Sequence, residues 1–351
     1  MPKPHPARTT PSRKKQHVDI TLTQDVGFRA KTTGLEKWEF VNNALPEINL
    51  SDVDTSITFL GRSLAIPFMI SCMTGGYAEA LRINRSLAEV CEETRIAMGV
   101  GSQRQALENS AYHRTFSIVR EAAPSIPIVG NIGAAEVAAM ATADAATRLV
   151  ELIRADAFAV HLNPLQEFLQ PEGNTNFKGV LNGISLLVRK LPVPIIVKEI
   201  GAGISADVAR RLLDVGVTYI DVAGAGGTSW AGVEILRCAD RSFTHQFWDW
   251  GIPTAAALRE VGALRSAGRS FTLIASGGIS TGMESAKCIA LGADLVASAR
   301  PMLKALHDGG KRGLKSLLRQ WTTELRGAMF LTGSPTLEAL RHARLVRYQE
   351  T

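Results

Sequence analysis

The 351-residue chain is 46% hydrophobic and 21% charged, with a formal net charge of +6. That balance excludes a disordered or fibrous chain, and the length suffices for one large core or two smaller ones. No apolar run approaches the ~20 residues of a bilayer span, and Cys72, Cys91, Cys238 and Cys288 show no CxxC spacing, so a reduced, cytoplasmic protein without a zinc site is expected.

The first 17 residues, MPKPHPARTTPSRKKQH, are basic and acid-free. They lack the apolar centre of a secretory signal and read as a flexible basic arm, residues 1–17, that orders on an anionic ligand. The basic excess would serve a nucleic acid, and equally a small anionic substrate such as a phosphate ester. Residues 21–54 predict a short helix and loops. Residues 57–60 and 64–66 predict a hairpin turning at Gly61-Arg62.

A rhythm sets in at Pro67. Continuous apolar, β-branched runs at 67–71, 96–101, 126–131, 156–162, 193–199, 217–223, 271–276 and 293–298 read as strands buried on both faces. Amphipathic segments lie between them, among them 79–94, 144–153, 207–215 and 282–291, with Ser205 and Ser280-Thr281 placed as caps. The alternation predicts an α/β chain folded as a (β/α)8 TIM barrel of roughly 230 residues. A short N-terminal extension precedes it, and residues 18–351 form a single domain. A doubly wound open sheet would want GxGxxG in its first turn, where Met73-Thr74-Gly75-Gly76 stands. The connection 224–252 is long for such a unit, so it is expected to be functional or to carry its own small structure.

Barrels of this kind do chemistry at the C-terminal ends of their strands. The fourth run ends in His161-Leu162-Asn163-Pro164-Leu165-Gln166-Glu167, an imidazole, two amides and a carboxylate within seven residues. Taken alone, this is equally a polar loop with one core histidine. Other ends carry Gly101-Ser102-Gln103-Arg104, Asn131 and Lys198-Glu199. Lys198 in the apolar run VPIIVKE is costly unless it meets an anion or a ligand oxygen. The seventh and eighth runs end in Ser276-Gly277-Gly278-Ile279-Ser280 and Ser298-Ala299-Arg300, the usual place of a phosphate cradle. A cradle, a lysine aimed at the mouth and glycines under a flat space together suggest flavin mononucleotide, FMN. Arg13, Lys14, His17 and Arg104 would then meet a second anion, bridged by a divalent ion on Glu167.

These residues resemble the FMN-dependent type 2 isopentenyl-diphosphate isomerases. The resemblance rests on Arg13-Lys14-x-x-His17, Met73-Thr74-Gly75-Gly76, Gly101-Ser102-Gln103-Arg104, His161-Leu162-Asn163 with Gln166-Glu167, Pro171-Glu172-Gly173, Lys198-Glu199 and Gly224-x-Gly226-Gly227-Thr228-Ser229-Trp230. It implies an isomerase converting isopentenyl to dimethylallyl diphosphate by a flavin-assisted 1,3-proton shift, with FMN and Mg²⁺ as cofactors and NADPH as reductant of the flavin. Gln166, His161 and Lys198 would be catalytic. Arg13, Lys14, His17, Ser102, Gln103, Arg104, Asn163 and Gln166 would meet substrate, and Glu167 the metal. Met73, Thr74, Gly75, Ser102, Asn131, Lys198, Ala223, Thr228, Gly278, Ile279, Ser280, Ala299 and Arg300 would hold FMN. The family usually has Ser at Ala223, Arg at Ser280 and Asp at Asn174. The resemblance further implies a small-molecule partner rather than nucleic acid, and a homotetramer or homo-octamer. The alternatives are another FMN-dependent barrel oxidoreductase and a diverged flavin- or prenyl-diphosphate-binding protein. An inosinate dehydrogenase would need a cysteine soon after Gly226-Gly227, and the next one is Cys238. A hydroxy-acid oxidase would need a histidine and an arginine where Ser276-Gly277-Gly278 stands.

Overall fold

A computed structural model describes residues 10–237 and 242–348. Eight parallel strands close into a barrel: β1 Phe68–Ile70, β2 Ala97–Gly99, β3 Ile128–Gly133, β4 Ala157–Leu162, β5 Ile195–Glu199, β6 Tyr219–Asp221, β7 Thr272–Ala275 and β8 Leu295–Ser298. Every predicted strand is present, trimmed to its paired residues except β3, which starts two residues late and runs two residues past its expected end to Gly133. Because side chains alternate across a strand, the apolar runs split into two cores. Met69, Ala97, Val129, Ala159, Ile196, Ile274 and Ala297 fill the barrel, while Ile70, Met98, Val160, Val197 and Ile220 face the surrounding helices.

Below the barrel, the strands Ile57–Phe59 and Arg62–Leu64 form a hairpin whose Phe59 and Leu64 pack against the interior cluster. Its turn is Leu60-Gly61, at φ of 50° and 73°, one residue earlier than expected. A two-residue turn matching strand twist needs positive φ at both positions, and glycine at the second supplies one of them. The same end is tied by Asp156. Its carboxylate accepts Arg62 Nε at 2.9 Å, Ile128 N at 2.8 Å and the buried Arg120 guanidinium.

Six helices matter for the site: α1 Thr10–Thr23, α2 Ala80–Thr94, α3 Pro164–Leu169, α4 Trp230–Arg237, α5 Gly282–Ala290 and α6 Arg300–Leu331, the last broken at Gly310. Residues 10–17, expected as flexible arm, are the opening turns of α1. Partners explain the order: α1 rests against α4 and α6, and Lys14 donates to Gly75 O and Ser102 O at 3.0 and 2.6 Å. The long connection carries α4 and a 3-10 turn at Ser242–Phe247. Trp38–Phe40 pairs antiparallel with Leu345–Arg347, tying both ends of the chain together. Among the described residues, no helix is long and apolar enough to cross a membrane. Cys91 and Cys288 are buried, Cys72 faces the barrel mouth, and Cys238 lies outside the described residues.

Candidate active site

A cavity of about 440 Å³ opens over the C-terminal ends of the strands, roofed in part by α1. Its floor follows from strand alternation. The residues two beyond the inward Val129, Ala159 and Ile196 are Asn131, His161 and Lys198, and all three line the cavity. Asn131 Nδ2 donates to Val100 O at 3.3 Å, which directs its Oδ1 toward His161 Nδ1 at 2.9 Å. The imidazole therefore carries its proton on Nδ1 and keeps Nε2 as an acceptor. Burial first, then the charges of Lys198 and Lys14, hold its pKa down to about 3. At neutral pH it is an uncharged hydrogen-bonding group. Lys198 is 6% exposed and donates to Glu199 O at 2.6 Å. Glu199 itself turns outward, accepting Ile200 N and Gly201 N at 2.6 Å each, and so shapes the β5 loop rather than the chemistry.

One wall is the loops after β7 and β8. Gly277, at φ 98°, packs so closely that a Cβ there would lie 2.0 Å from Gly224 O. Gly277, expected in the cradle, thus serves backbone packing first, and Gly75, expected beneath a flat ring, abuts Phe116. Ser298 Oγ donates to Ile279 O at 2.9 Å and fixes the loop. Among the described residues, the N–H groups of Gly278, Ile279, Ala299 and Arg300 make no hydrogen bond within the chain, and all four residues line the cavity wall. That donor set fits a phosphate. Two expected contributors are directed elsewhere. Ser280 N and Oγ give to Glu284 Oε2 at 2.7 and 2.9 Å, in the capping box of α5. Arg300 Nε and Nη2 give to Thr21 O and Gln24 O at the end of α1, so two of its five guanidinium donors are turned toward that helix.

The opposite wall is cationic. Arg13, Lys14 and His17 from α1 meet Ser102 and Arg104 from the β2 end. Arg104 is held by Glu136 at 3.0 Å and Glu108 at 2.9 Å. Burial, then Arg13 and Arg104, lower the Lys14 pKa to about 7. Gln103 is not in this wall. It is fully buried, donating to Leu149 O and accepting from Asn131 N, and so braces the strands. Thr74 points away as well, its hydroxyl bonded to Asn84. Met73, Gly75, Ala223 and Thr228 do line the cavity, the last two on the β6 side.

Above the β4 end, Asn163 Nδ2 donates to Gln166 Oε1 at 3.2 Å and Glu167 Oε1 at 2.9 Å. Glu167 Oε2 accepts Gln170 Nε2 and Asn174 N, both at 2.7 Å. Three donors on a carboxylate leave about one of its four lone-pair directions for a hard cation. Gln166 Nε2 donates to Glu234 Oε1 at 3.1 Å. Glu234, on α4, was not singled out in the sequence. It is fully buried, 2.9 Å from His17 Nε2, and bonded by Arg237 Nε at 2.8 Å. Burial pushes this carboxyl up, but His17, Arg237 and Gln166 bring it below its ordinary value. Arg237 continues to Glu172 at 2.7 Å, and Glu172 lies 3.8 Å from Arg13. A carboxylate in the apolar stretch WAGVEILR was the available signal, by the same reasoning that marks Lys198. Asp221, at the end of β6, was also passed over and is fully buried.

Fold and site together define a (β/α)8-barrel protein whose cavity has unbonded backbone N–H groups on one wall and a cluster of basic side chains on the other. The family model for FMN-dependent dehydrogenases matches residues 7–147 and 161–347. Isopentenyl-diphosphate delta-isomerase of Pelodictyon phaeoclathratiforme is 50% identical over 352 residues, covering 97% of this chain and 98% of that one. The protein of the same name from Methanothermobacter thermautotrophicus is 46% identical over 95% and 92%. The chain belongs to the FMN-dependent dehydrogenase family and, within it, to the isopentenyl-diphosphate delta-isomerases. Solved structures share the fold at lower identity. A lactate oxidase of Pediococcus acidilactici superposes with a TM-score of 0.70 at 16% identity, covering 97% of this chain and 94% of that one. A mandelate oxidase reaches 0.64 at 19%, over 97% and 98%.

Proposed function

We propose that this chain converts isopentenyl to dimethylallyl diphosphate by a redox-neutral 1,3-proton shift, with FMN seated in the cavity. The observation that carries the reading is the pairing of two anion sites in one cavity: unbonded N–H groups at Gly278, Ile279, Ala299 and Arg300 on one side, and Arg13, Lys14, His17 and Arg104 on the other. One cofactor phosphate and one substrate diphosphate account for both. Reduced FMN, when bound, supplies an electron-rich face and a proton donor-acceptor beside the alkene. NADPH is the proposed reductant.

The protein's own groups divide the remaining work. The cationic wall, with Ser102, holds the diphosphate, and binding energy at that end positions the inert hydrocarbon end. Glu167, with about one lone-pair direction left, would be the residue that holds Mg²⁺, which would supply positive charge for the diphosphate. Lys198 would supply positive charge to the reduced flavin, and Met73, Gly75, Asn131, Ala223 and Thr228, which line the cavity, would hold it. His161, neutral and fixed by Asn131, contributes an acceptor at Nε2 and is not an acid at neutral pH. Gln166, tied to Glu234, orients the reacting end of the substrate. The α1 roof excludes water from it. Anaerobic incubation with isopentenyl diphosphate, FMN, NADPH and Mg²⁺ should yield dimethylallyl diphosphate. A protein that binds FMN and yields none would overturn the reading.

A further inference from the structure

Asp221 closes β6, and its carboxylate has a place in the site that the chemistry above does not use. It is fully buried. In strand register it pairs with Lys198 of β5 on one side and Ile274 of β7 on the other. Tyr219 packs with the barrel interior, so Asp221, two residues on, faces inward beside Lys198, two beyond the inward Ile196. Oδ1 accepts Ser276 Oγ at 2.5 Å and Ala223 N at 3.2 Å, while Oδ2 has no partner among the described residues. Lys198 uses one of its three donors, on Glu199 O.

Resting on the flavin reading, we infer that Asp221 is the positioning residue for Lys198: it keeps the ammonium protonated and aimed into the cavity, and it fixes the wall residue Ala223. The two groups stand side by side in register, each with unused hydrogen-bonding capacity, and although no direct ion pair joins them, opposite charges at that spacing lower the cost of burying both. Burial raises the Asp221 carboxyl above its ordinary value, and Lys198, then Ser276 and the Ala223 N–H, offset part of that rise. The second contact serves geometry. Ala223 has φ of 37°, a conformation costly for a residue with a Cβ, and its N–H is held by Asp221 Oδ1. The other titratable groups around Lys198 cannot replace this counterion. His161 is neutral, the Cys72 thiol is pushed by burial up to about 11, and Glu199 is occupied by loop N–H groups.

The test is the FMN midpoint potential of the holoprotein as a function of pH. The wild-type profile is the reference. In Asp221→Asn, the unpaired lysine should titrate within about pH 6–9, placing a new inflection in the profile. That inflection should vanish in Asp221→Asn/Lys198→Met. Superimposable wild-type and Asp221→Asn profiles, with FMN bound in both, would overturn the role of Asp221 and leave the flavin reading standing. So would a wild-type inflection between about pH 6 and 9 that Lys198→Met removes, which decides the matter even if Asp221→Asn does not fold. A wild-type chain that takes up no FMN sinks the flavin reading and this role together.

Discussion

At the scale of single residues, the cationic wall is tuned as well as placed. Lys14 is half-buried between two carbonyl oxygens and two guanidinium neighbours, and desolvation, with those guanidinium charges, lowers its pKa to about 7. A bound diphosphate raises that pKa, so binding takes up a proton. The affinity gained is complete below about pH 7 and is lost as pH rises from there toward the bound-state value, by up to about tenfold per unit. Lys14→Arg keeps its charge throughout. The KM ratio of wild type to Lys14→Arg should therefore climb above pH 7, and a flat ratio would contradict the tuning. Glu167 is the other residue with a definite expectation. Glu167→Gln should raise the Mg²⁺ concentration needed for half-maximal activity and leave FMN bound. Unchanged metal dependence in a titration would show that the carboxylate only organises Asn163, Gln170 and Asn174.

At the scale of elements, α1 belongs to the site rather than to a tail. Arg300 joins the C-terminal carbonyls of α1 to the loop that carries the cradle. Hydrogen bonds from charged donors contribute about 1.5–3 kcal/mol each. Arg300→Ala should therefore raise KM for the diphosphate roughly 10- to 100-fold while FMN stays bound through the backbone N–H groups. Loss of FMN with unchanged KM would reverse the assignment and return the guanidinium to the phosphate. The barrel strands were legible in the sequence because burial on both faces leaves continuous apolar runs, and because their partners follow in chain order. Trp38–Phe40 was not, because its partner, Leu345–Arg347, lies at the far end of the chain. Gln103 and Thr74 sit in motif positions yet turn inward to Leu149 and Asn84. Spacing places a residue at a strand end without saying which way its side chain leaves it. Glu234 became visible only when α1, α3 and α4 brought His17, Gln166 and Arg237 to one carboxylate.

Across the whole molecule, stability and chemistry occupy opposite ends of the barrel. The hairpin plug and the Asp156–Arg62–Arg120 cluster close the end away from the cavity. The cluster is only partly buried, and losing a hydrogen bond to a charged group costs about 1.5–3 kcal/mol. Asp156→Ala should lower unfolding free energy by that amount in a denaturant titration, while kcat and KM of the folded fraction stay near wild type. A variant that loses activity without losing stability would show the two ends to be coupled. At the mouth, the decisive distinction is between moving a proton and moving a hydride, because the fold is shared with oxidases. Turnover in D₂O with FMN, Mg²⁺ and NADPH separates the two. A proton shift predicts dimethylallyl diphosphate carrying solvent deuterium in a methyl group, with many turnovers per NADPH consumed. One NADPH consumed per product, or product free of carbon-bound deuterium, would contradict it.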